Sequence, residues 1–268
     1  NNTQQLPIYT TTNRSSPTQI TSNFLFYSPT SIGTSTYTSV ATGDSQTVLL
    51  GTDYFIYPIG NNNAGQLGVN NTLNRSSPVQ VNTATLLDSR SSPVQIDSGS
   101  WKQIIAGQDY SLGIKGNNTL YAWGINTNGA LGTTDTLTRS FPVQIGSNNN
   151  YSWIVTGNSH VAVLTTTGSL FVWGLNNAGQ LGTSDTLNRS SPVQVAGTYN
   201  TVYAGNSHTI ALDSTNTLYT WGLNSSGQLG QNDVTNRSVP TSLATGLSNT
   251  NIFAGPNSTY LFSIQNNI

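Results

Sequence analysis

Apolar residues run through this chain in short bursts bounded by Gly, Asn, Asp or Ser: H-V-A-V-L from His160, H-T-I-A-L from His208, L-F-V-W-G from Leu170. Runs of four to six residues, rich in β-branched and aromatic side chains, read as β-strands. No stretch keeps a helical period between caps. The pattern predicts an all-β fold of many short strands.

The bursts recur in register. L-Y-A-W-G-I-N-T-N-G-A-L-G from Leu120, L-F-V-W-G-L-N-N-A-G-Q-L-G from Leu170 and L-Y-T-W-G-L-N-S-S-G-Q-L-G from Leu218 nearly superimpose, and their Trp-Gly pairs lie 50 and 48 residues apart. Self-similarity at such a period marks a repeat architecture. Each unit opens with an aromatic six residues before a glycine: Tyr37 before Gly43, Trp101 before Gly107, Tyr151 before Gly157, Tyr199 before Gly205. An apolar strand follows, then the Trp-Gly strand, then the turn N-x-x-G-Q-L-G, then a loop such as D-T-L-N-R-S-S-P-V-Q-V leading into another strand. Three or four short strands per ~50-residue unit form a small twisted sheet, and such sheets are stable when arranged radially as a β-propeller.

W-G-x-N-x-x-G-Q-L-G, then R-x-x-P, then a Gly-x-x-His strand resembles the repeat of the regulator of chromosome condensation family, over nearly the whole chain. The resemblance implies a propeller, in that family usually of seven blades, and with it nucleotide exchange on a small GTPase or chromatin binding. This chain departs from that number. Glycine-anchored strands begin at Gly43, Gly107, Gly157, Gly205 and Gly255, which gives about five blades. In the first unit Tyr57-Pro58-Ile59-Gly60 stands in place of the Trp-Gly strand.

The fifth unit stops at Ile268 before a Trp-Gly strand or R-x-x-P loop, while Leu6-Pro7-Ile8-Tyr9 and Asn13-Arg14-Ser15-Ser16-Pro17-Thr18-Gln19-Ile20 carry those parts at the N-terminus. The expectation is one propeller domain over residues 1–268 with one blade split between its N- and C-termini. Residues 1–20 are then complementing strands. They close a five-bladed ring if the halves meet within a molecule, or link subunits if they meet between molecules. Residues 21–36, with Phe24, Leu25, Phe26 and Tyr27, and residues 82–96, with a second R-S-S-P-V-Q at Arg90, read as insertions.

Charge narrows the function. Charged residues are 6% of the chain, net charge is −1, and all nine acids are Asp. All six Arg (Arg14, Arg75, Arg90, Arg139, Arg189, Arg237) stand in R-x-x-P, leaving Lys102 and Lys115 as the unassigned cations. Without a basic cluster there is no field to attract phosphate backbones, which argues against nucleic acid as a partner. With no Cys there are no disulfides or thiolate metal sites. No apolar run approaches the ~18 residues needed to cross a bilayer. A neutral, Cys-free, Thr/Asn/Ser-rich chain reads as extracellular or cell-surface. The absence of Met, even at position 1, fits a processed product or fragment, and removal of a secretion signal accounts for the Asn1 start.

The repeat absorbs most candidate chemistry. His160 and His208 stand three residues after the anchoring glycine, at a phase that elsewhere holds Gln46, Tyr110 and Ser258, so they read as structural hydrogen-bonding sites rather than metal ligands or bases. Asp135, Asp185 and Asp233 precede an Arg by four residues, and Asn71 fills the matching place, which favours turn closure over a carboxylate ring that binds cations or sugars. Asp53 and Asp109 read as turn or solvated residues. The glycine turns lack the Lys-Ser/Thr of a phosphate loop, and there is no G-x-S-x-G elbow. Ten N-x-S/T sequons occur, about what chance gives for this composition, so they are no evidence for glycosylation. The expectation is a protein that is not an enzyme, with no cofactor, no metal and no catalytic residue. Its job is structural: self-assembly into a homo-oligomer, filament or surface layer. The self-contact falls on Leu6, Ile8, Tyr9, Pro17, Ile20, Phe24, Phe26 and Tyr27. A monomeric module binding a protein or glycan is the alternative, with exchange on a small GTPase behind it.

Overall fold

The computed structural model describes residues 37–75, 100–247 and 250–263. They are all-β, with no helix among the described residues, and fall into two compact units. The first comprises the chain up to Asn126 together with Leu137–Asn149; the second comprises Thr127–Thr136 and the chain from Asn150.

In the first unit β1 (Tyr37–Thr42), β2 (Gln46–Gly51) and β3 (Ile56–Gly60) form a three-stranded antiparallel meander. A Gly60–Arg75 bridge extends it. β4 (Trp101–Ala106), β5 (Tyr110–Lys115), β6 (Leu120–Gly124) and β7 (Arg139–Gln144) form a four-stranded meander in sequence order. The second unit repeats this plan twice. One sheet is β8 (Tyr151–Thr156), β9 (His160–Thr165), β10 (Leu170–Gly174) and β11 (Arg189–Val195). The next is β12 (Tyr199–Ala204), β13 (His208–Asp213), β14 (Leu218–Gly222) and β15 (Arg237–Ala244). Last come β16 (Thr250–Gly255) and β17 (Ser258–Ser263), a two-stranded antiparallel pair.

Several sequence signals have physical counterparts among the described residues. The five anchoring glycines sit at the turns joining the first two strands of each sheet. The aromatics Tyr37, Trp101, Tyr151 and Tyr199 open their strands and are followed at once by a register shift. Such a bulge strengthens local twist and re-aims the side chains that follow it. The second strand of each full sheet is buried on both faces, as in the wholly buried H-V-A-V-L-T of β9, so it reads as a continuous apolar run without alternation. The R-x-x-P strands β7, β11 and β15 lie at sheet edges, where Pro142, Pro192 and Pro240 cost no ladder hydrogen bond.

The core is built from the Trp-Gly strands. Trp123, Trp173 and Trp221 are fully buried. At about 200 Å² of ring surface each, this is on the order of 5 kcal/mol of transfer free energy per indole. In the first unit Trp123 packs with Val48, Leu67, Trp101 and Ile104; in the second, Trp221 packs with Leu164, Leu170, Leu181 and Val202.

Candidate functional site

The loops that follow β3, β10 and β14 hold dense polar networks, each organised by one buried Asn. Asn176 Oδ1 accepts from the Leu181 amide at 2.9 Å, while its Nδ2 reaches the Asp185 carbonyl at 3.0 Å, the Asp185 carboxylate at 3.1 Å and the Leu187 carbonyl at 3.1 Å. Asn62 and Asn224 repeat the pattern on Leu67 with Asn71, and on Leu229 with Asp233. The backbone N–H groups of Asn62, Asn176 and Asn224 donate in turn to the side-chain oxygens of Asn74, Asn188 and Asn236 at 2.7, 2.9 and 2.8 Å. Those three sequon asparagines are thus engaged in the loop itself. An Asn176→Ala chain loses a buried hub with several partners, and we expect it to lose roughly 2–4 kcal/mol in urea unfolding. Asn176→Asp should do no better, because it sets a carboxylate against the carbonyls that Nδ2 now satisfies.

The aspartates close these same turns. Asp185 Oδ1 accepts from the Leu187 amide at 3.1 Å and Oδ2 pairs with Arg189 at 2.5 Å; Asp233 does the same with Thr235 and Arg237. Hydrogen bonding from the Leu187 amide, then from Arg189, holds the Asp185 carboxyl below its usual range, and the Thr235 amide and Arg237 do so for Asp233. Arg189 and Arg237 also donate to the Leu187 and Thr235 carbonyls at 2.9 Å. Carboxylates and guanidinia alike are spent on the loop.

The histidines are internal. In the second unit His160 Nε2 meets Thr209 Oγ1 at 3.1 Å, and Thr209 Oγ1 donates to the Gln180 carbonyl at 2.8 Å. His208 Nε2 meets Thr259 Oγ1 at 3.4 Å, and Thr259 donates to the Gln228 carbonyl at 2.8 Å. In the first unit Gln46 takes the same place, its Nε2 donating to the Gly107 and Tyr110 carbonyls at 3.2 Å. Burial, and for His160 the proximity of His208, pushes the two imidazoles down to about 3 and about 4. Both rings are neutral near pH 7.

Four further charged residues have local roles. Asp53 accepts from the Tyr57 hydroxyl and from the Phe55 amide, and Asp109 accepts from Ser45 Oγ at 3.1 Å. Lys115 Nζ lies 4.3 Å from the Tyr121 ring and 5.4 Å from that of Trp101, a cation–π cage in which burial lowers its pKa. Lys102 donates to Asn118 at 3.1 Å.

Two hollows open in the second unit. One, of about 700 Å³, is lined among others by Val193, Thr198, Tyr199, Asp213, Tyr219 and Pro240. Two of its polar groups are already engaged: Asp213 Oδ1 caps the turn through the amides of Thr215 and Thr217 at 2.8 and 2.9 Å, and the Tyr199 hydroxyl donates to the Ala196 carbonyl at 2.9 Å. The other, of about 490 Å³, lies beside Gly227, Gly230, Leu243 and Leu261. Among the described residues no three His, Cys, Asp or Glu side chains gather as a metal site would require. No helix there is long and apolar enough to cross a membrane.

All eight residues expected to carry self-contact (Leu6, Ile8, Tyr9, Pro17, Ile20, Phe24, Phe26, Tyr27) lie outside the described residues, as do the insertions 21–36 and 82–96. The structure adds exposed aromatics that the repeat reading passed over: Trp153 at 48%, Phe253 at 55% and Tyr260 at 51% exposure. Trp153 had a signal. It stands two residues after the opening aromatic, where the other units carry Ser39, Gln103 and Thr201.

Known proteins share this design. The regulator of chromosome condensation (RCC1) repeat matches residues 55–114, 117–164, 167–212 and 216–261. The ultraviolet-B receptor UVR8 of Arabidopsis thaliana is 33% identical over 103 residues, 38% of this chain and 21% of the receptor. Among solved structures, human WBSCR16 is similar with a TM-score of 0.73 at 20% identity, over 86% of this chain and 58% of that one. Prp20p of Saccharomyces cerevisiae, studied with its binding to Gsp1p and histones, gives 0.68 at 18% identity over 86% and 56%. The chain therefore spans a little over half the length of these structures. Four repeat matches cover most of the sequence, and the sheets they fall on are those of a β-propeller: the chain belongs to the regulator of chromosome condensation repeat family.

Proposed function

We propose that this propeller is a non-enzymatic structural protein of the cell surface or extracellular space, and that it associates with itself by strand exchange. The observation that supports this reading is the β16–β17 sheet. The three full sheets have four strands, whereas β16 and β17 pair only with each other among the described residues. The sheet also exposes Phe253, Tyr260 and Leu261, the last at 42%. An open strand edge beside apolar surface is a template for an added strand. A head-to-tail contact that does not close gives a filament. Leu6-Pro7-Ile8-Tyr9 and Arg14-Ser15-Ser16-Pro17 supply the matching sequence.

Exchange on a small GTPase is the less favoured reading. Prp20p binds Gsp1p and histones, but 6% charged residues leave this chain little electrostatic means to recognise a nucleotide-binding or histone surface. A glycan or protein ligand on a monomer is the nearer alternative. Sedimentation of the full chain over a hundredfold concentration range distinguishes these readings. Self-association predicts mass growing with concentration; a single monomeric species throughout overturns it.

A further inference from the structure

One position of the repeat carries charge in two sheets, with opposite sign. The aromatic that opens each sheet is paired across the strands with Gly51 opposite Tyr37, Lys115 opposite Trp101, Thr165 opposite Tyr151 and Asp213 opposite Tyr199. The second residue of the next strand adds another ring, Tyr121 on β6 and Tyr219 on β14. The rings meet edge to face, with centroids 5.7 Å apart for Trp101 and Tyr121 and 6.3 Å apart for Tyr199 and Tyr219.

In the sheet of β4 to β7 the chain supplies its own cation. Lys115 Nζ stands over both rings, 4.3 Å from that of Tyr121 and 5.4 Å from that of Trp101, an arrangement that π faces favour. In the sheet of β12 to β15 the two rings remain, but Asp213 holds the register position of the lysine. Its turn-capping bonds fall on one oxygen. Oδ1 accepts from the amides of Thr215 and Thr217 at 2.8 and 2.9 Å and from the Thr215 hydroxyl at 2.7 Å. The Tyr219 hydroxyl donates to the same carboxylate. Desolvation pushes the Asp213 carboxyl up, yet the bonds from Thr217, Thr215 and Tyr219 outweigh it and hold the group below its usual range. Asp185 and Asp233 each have an arginine partner; among the described residues no cation pairs with Asp213.

These groups wall the hollow of about 700 Å³ in the second unit, and all of its lining residues are described. Val193, Val195, Val239 and Pro240 form its apolar side. Arg189 also lines it, but its guanidinium is neutralised by Asp185 and held on the Leu187 carbonyl. A fixed joint sets the width of the cleft. Trp221 Nε1 donates to the Gln180 carbonyl at 3.0 Å, as Trp173 Nε1 does to the Ala130 carbonyl at 2.9 Å. Gly182, another wall residue, stands so close to this joint that a Cβ there would lie 2.8 Å from Trp221 Nε1. A cleft held in this way is formed before its ligand arrives, which lowers the cost of binding.

We infer that the hollow at Tyr199, Asp213 and Tyr219 binds a primary alkylammonium group, its cation on the carboxylate and the two rings and its methylene stem along the valine and proline wall. Charge-assisted hydrogen bonding and cation–π attraction hold the head, and apolar contact holds the stem. A lysine side chain of a partner protein and a free alkyl amine share this chemistry. The site does not depend on self-association.

The test is a titration of the full chain, followed at the backbone amide resonances of Thr215 and Thr217, which sense the carboxylate. The probes are Nα-acetyl-lysine methylamide, its neutral norleucine counterpart, cadaverine and cellobiose. We expect saturable shifts with the lysine probe and binding roughly tenfold weaker with the norleucine probe. Asp213→Asn keeps an oxygen for the turn, and should weaken the lysine probe roughly tenfold while leaving the norleucine probe unchanged. Equal affinity for the two probes in the native chain overturns the site, a comparison that needs no variant to fold. So does undiminished lysine binding in Asp213→Asn, or shifts with cellobiose and none with either amine. Tighter binding of the lysine probe than of cadaverine assigns the occupant to a protein side chain, and the reverse assigns it to a free amine; either upholds the site.

Discussion

Gly205→Ala is expected to remove most of the stability of the second unit, a loss above about 4 kcal/mol in urea unfolding. The His208 ring lies against Gly205, so a Cβ there would stand 2.0 Å from its Cε1 and 2.5 Å from its Nδ1. The ring is fully buried and contacts Thr259 Oγ1 at 3.4 Å, so moving it aside disturbs packed neighbours. Behind it stands the Gly255 carbonyl oxygen, 2.6 Å from the added Cβ, and that oxygen belongs to backbone. Gly157 is caught in the same way between His160 and the Gly205 carbonyl, at 2.5 Å. Gly146→Ala is the control. Its φ of 60° strains an alanine, yet nothing lies within 4 Å, so only the backbone penalty of roughly 1 kcal/mol should appear. Comparable losses at Gly205 and Gly146 would refute the packing explanation.

Acidification from pH 7 to pH 5 should destabilise the second unit by roughly 4 kcal/mol, about 2 from each buried histidine. Folded pKa values of about 3 and about 4 lie below the ordinary 6.5, so between these limits the unfolded chain binds protons that the folded chain refuses. Stability is complete above about pH 6.5 and falls as pH drops towards the folded values. The window stays above the range in which Asp185, Asp213 and Asp233, all held low by hydrogen bonds, would take up protons. Gln46 fills the histidine phase in the first unit with both amide hydrogens engaged, which makes His160→Gln with His208→Gln the informative variant. It should keep most of the stability at pH 7 and lose the slope between pH 7 and 5. An equally steep slope in that variant would place the acid sensitivity elsewhere.

Much of this was legible in the sequence because repetition turns tertiary contacts into a printed period. Strand positions and anchoring glycines follow from local chemistry read several times over. The interchange of His160, His208, Gln46, Tyr110 and Ser258 pointed to a hydrogen-bonding site. It could not reveal that the partner is a threonine from a strand about 50 residues on, since that contact is non-local. Asn176 was visible only as the first letter of a turn. Its bonds reach nine and eleven residues downstream, and only folded coordinates show one side chain satisfying an amide, a carboxylate and two carbonyls. Exposure was the least legible property. Trp153 and Tyr260 carry the same letters as core aromatics, and the pleat, shifted by a bulge in the case of Trp153, decides which way they point.

The link from a turn carbonyl to the next indole has an evolutionary corollary. Trp173 on Ala130 and Trp221 on Gln180 are the same junction made twice, so each module needs only its immediate neighbour to be correct. Duplicating or deleting one ~50-residue module creates no new kind of junction, and free energy should change by roughly one constant increment per copy. Copy number can therefore drift within such a lineage while every individual joint is preserved, and genes for these chains should vary in length by whole modules.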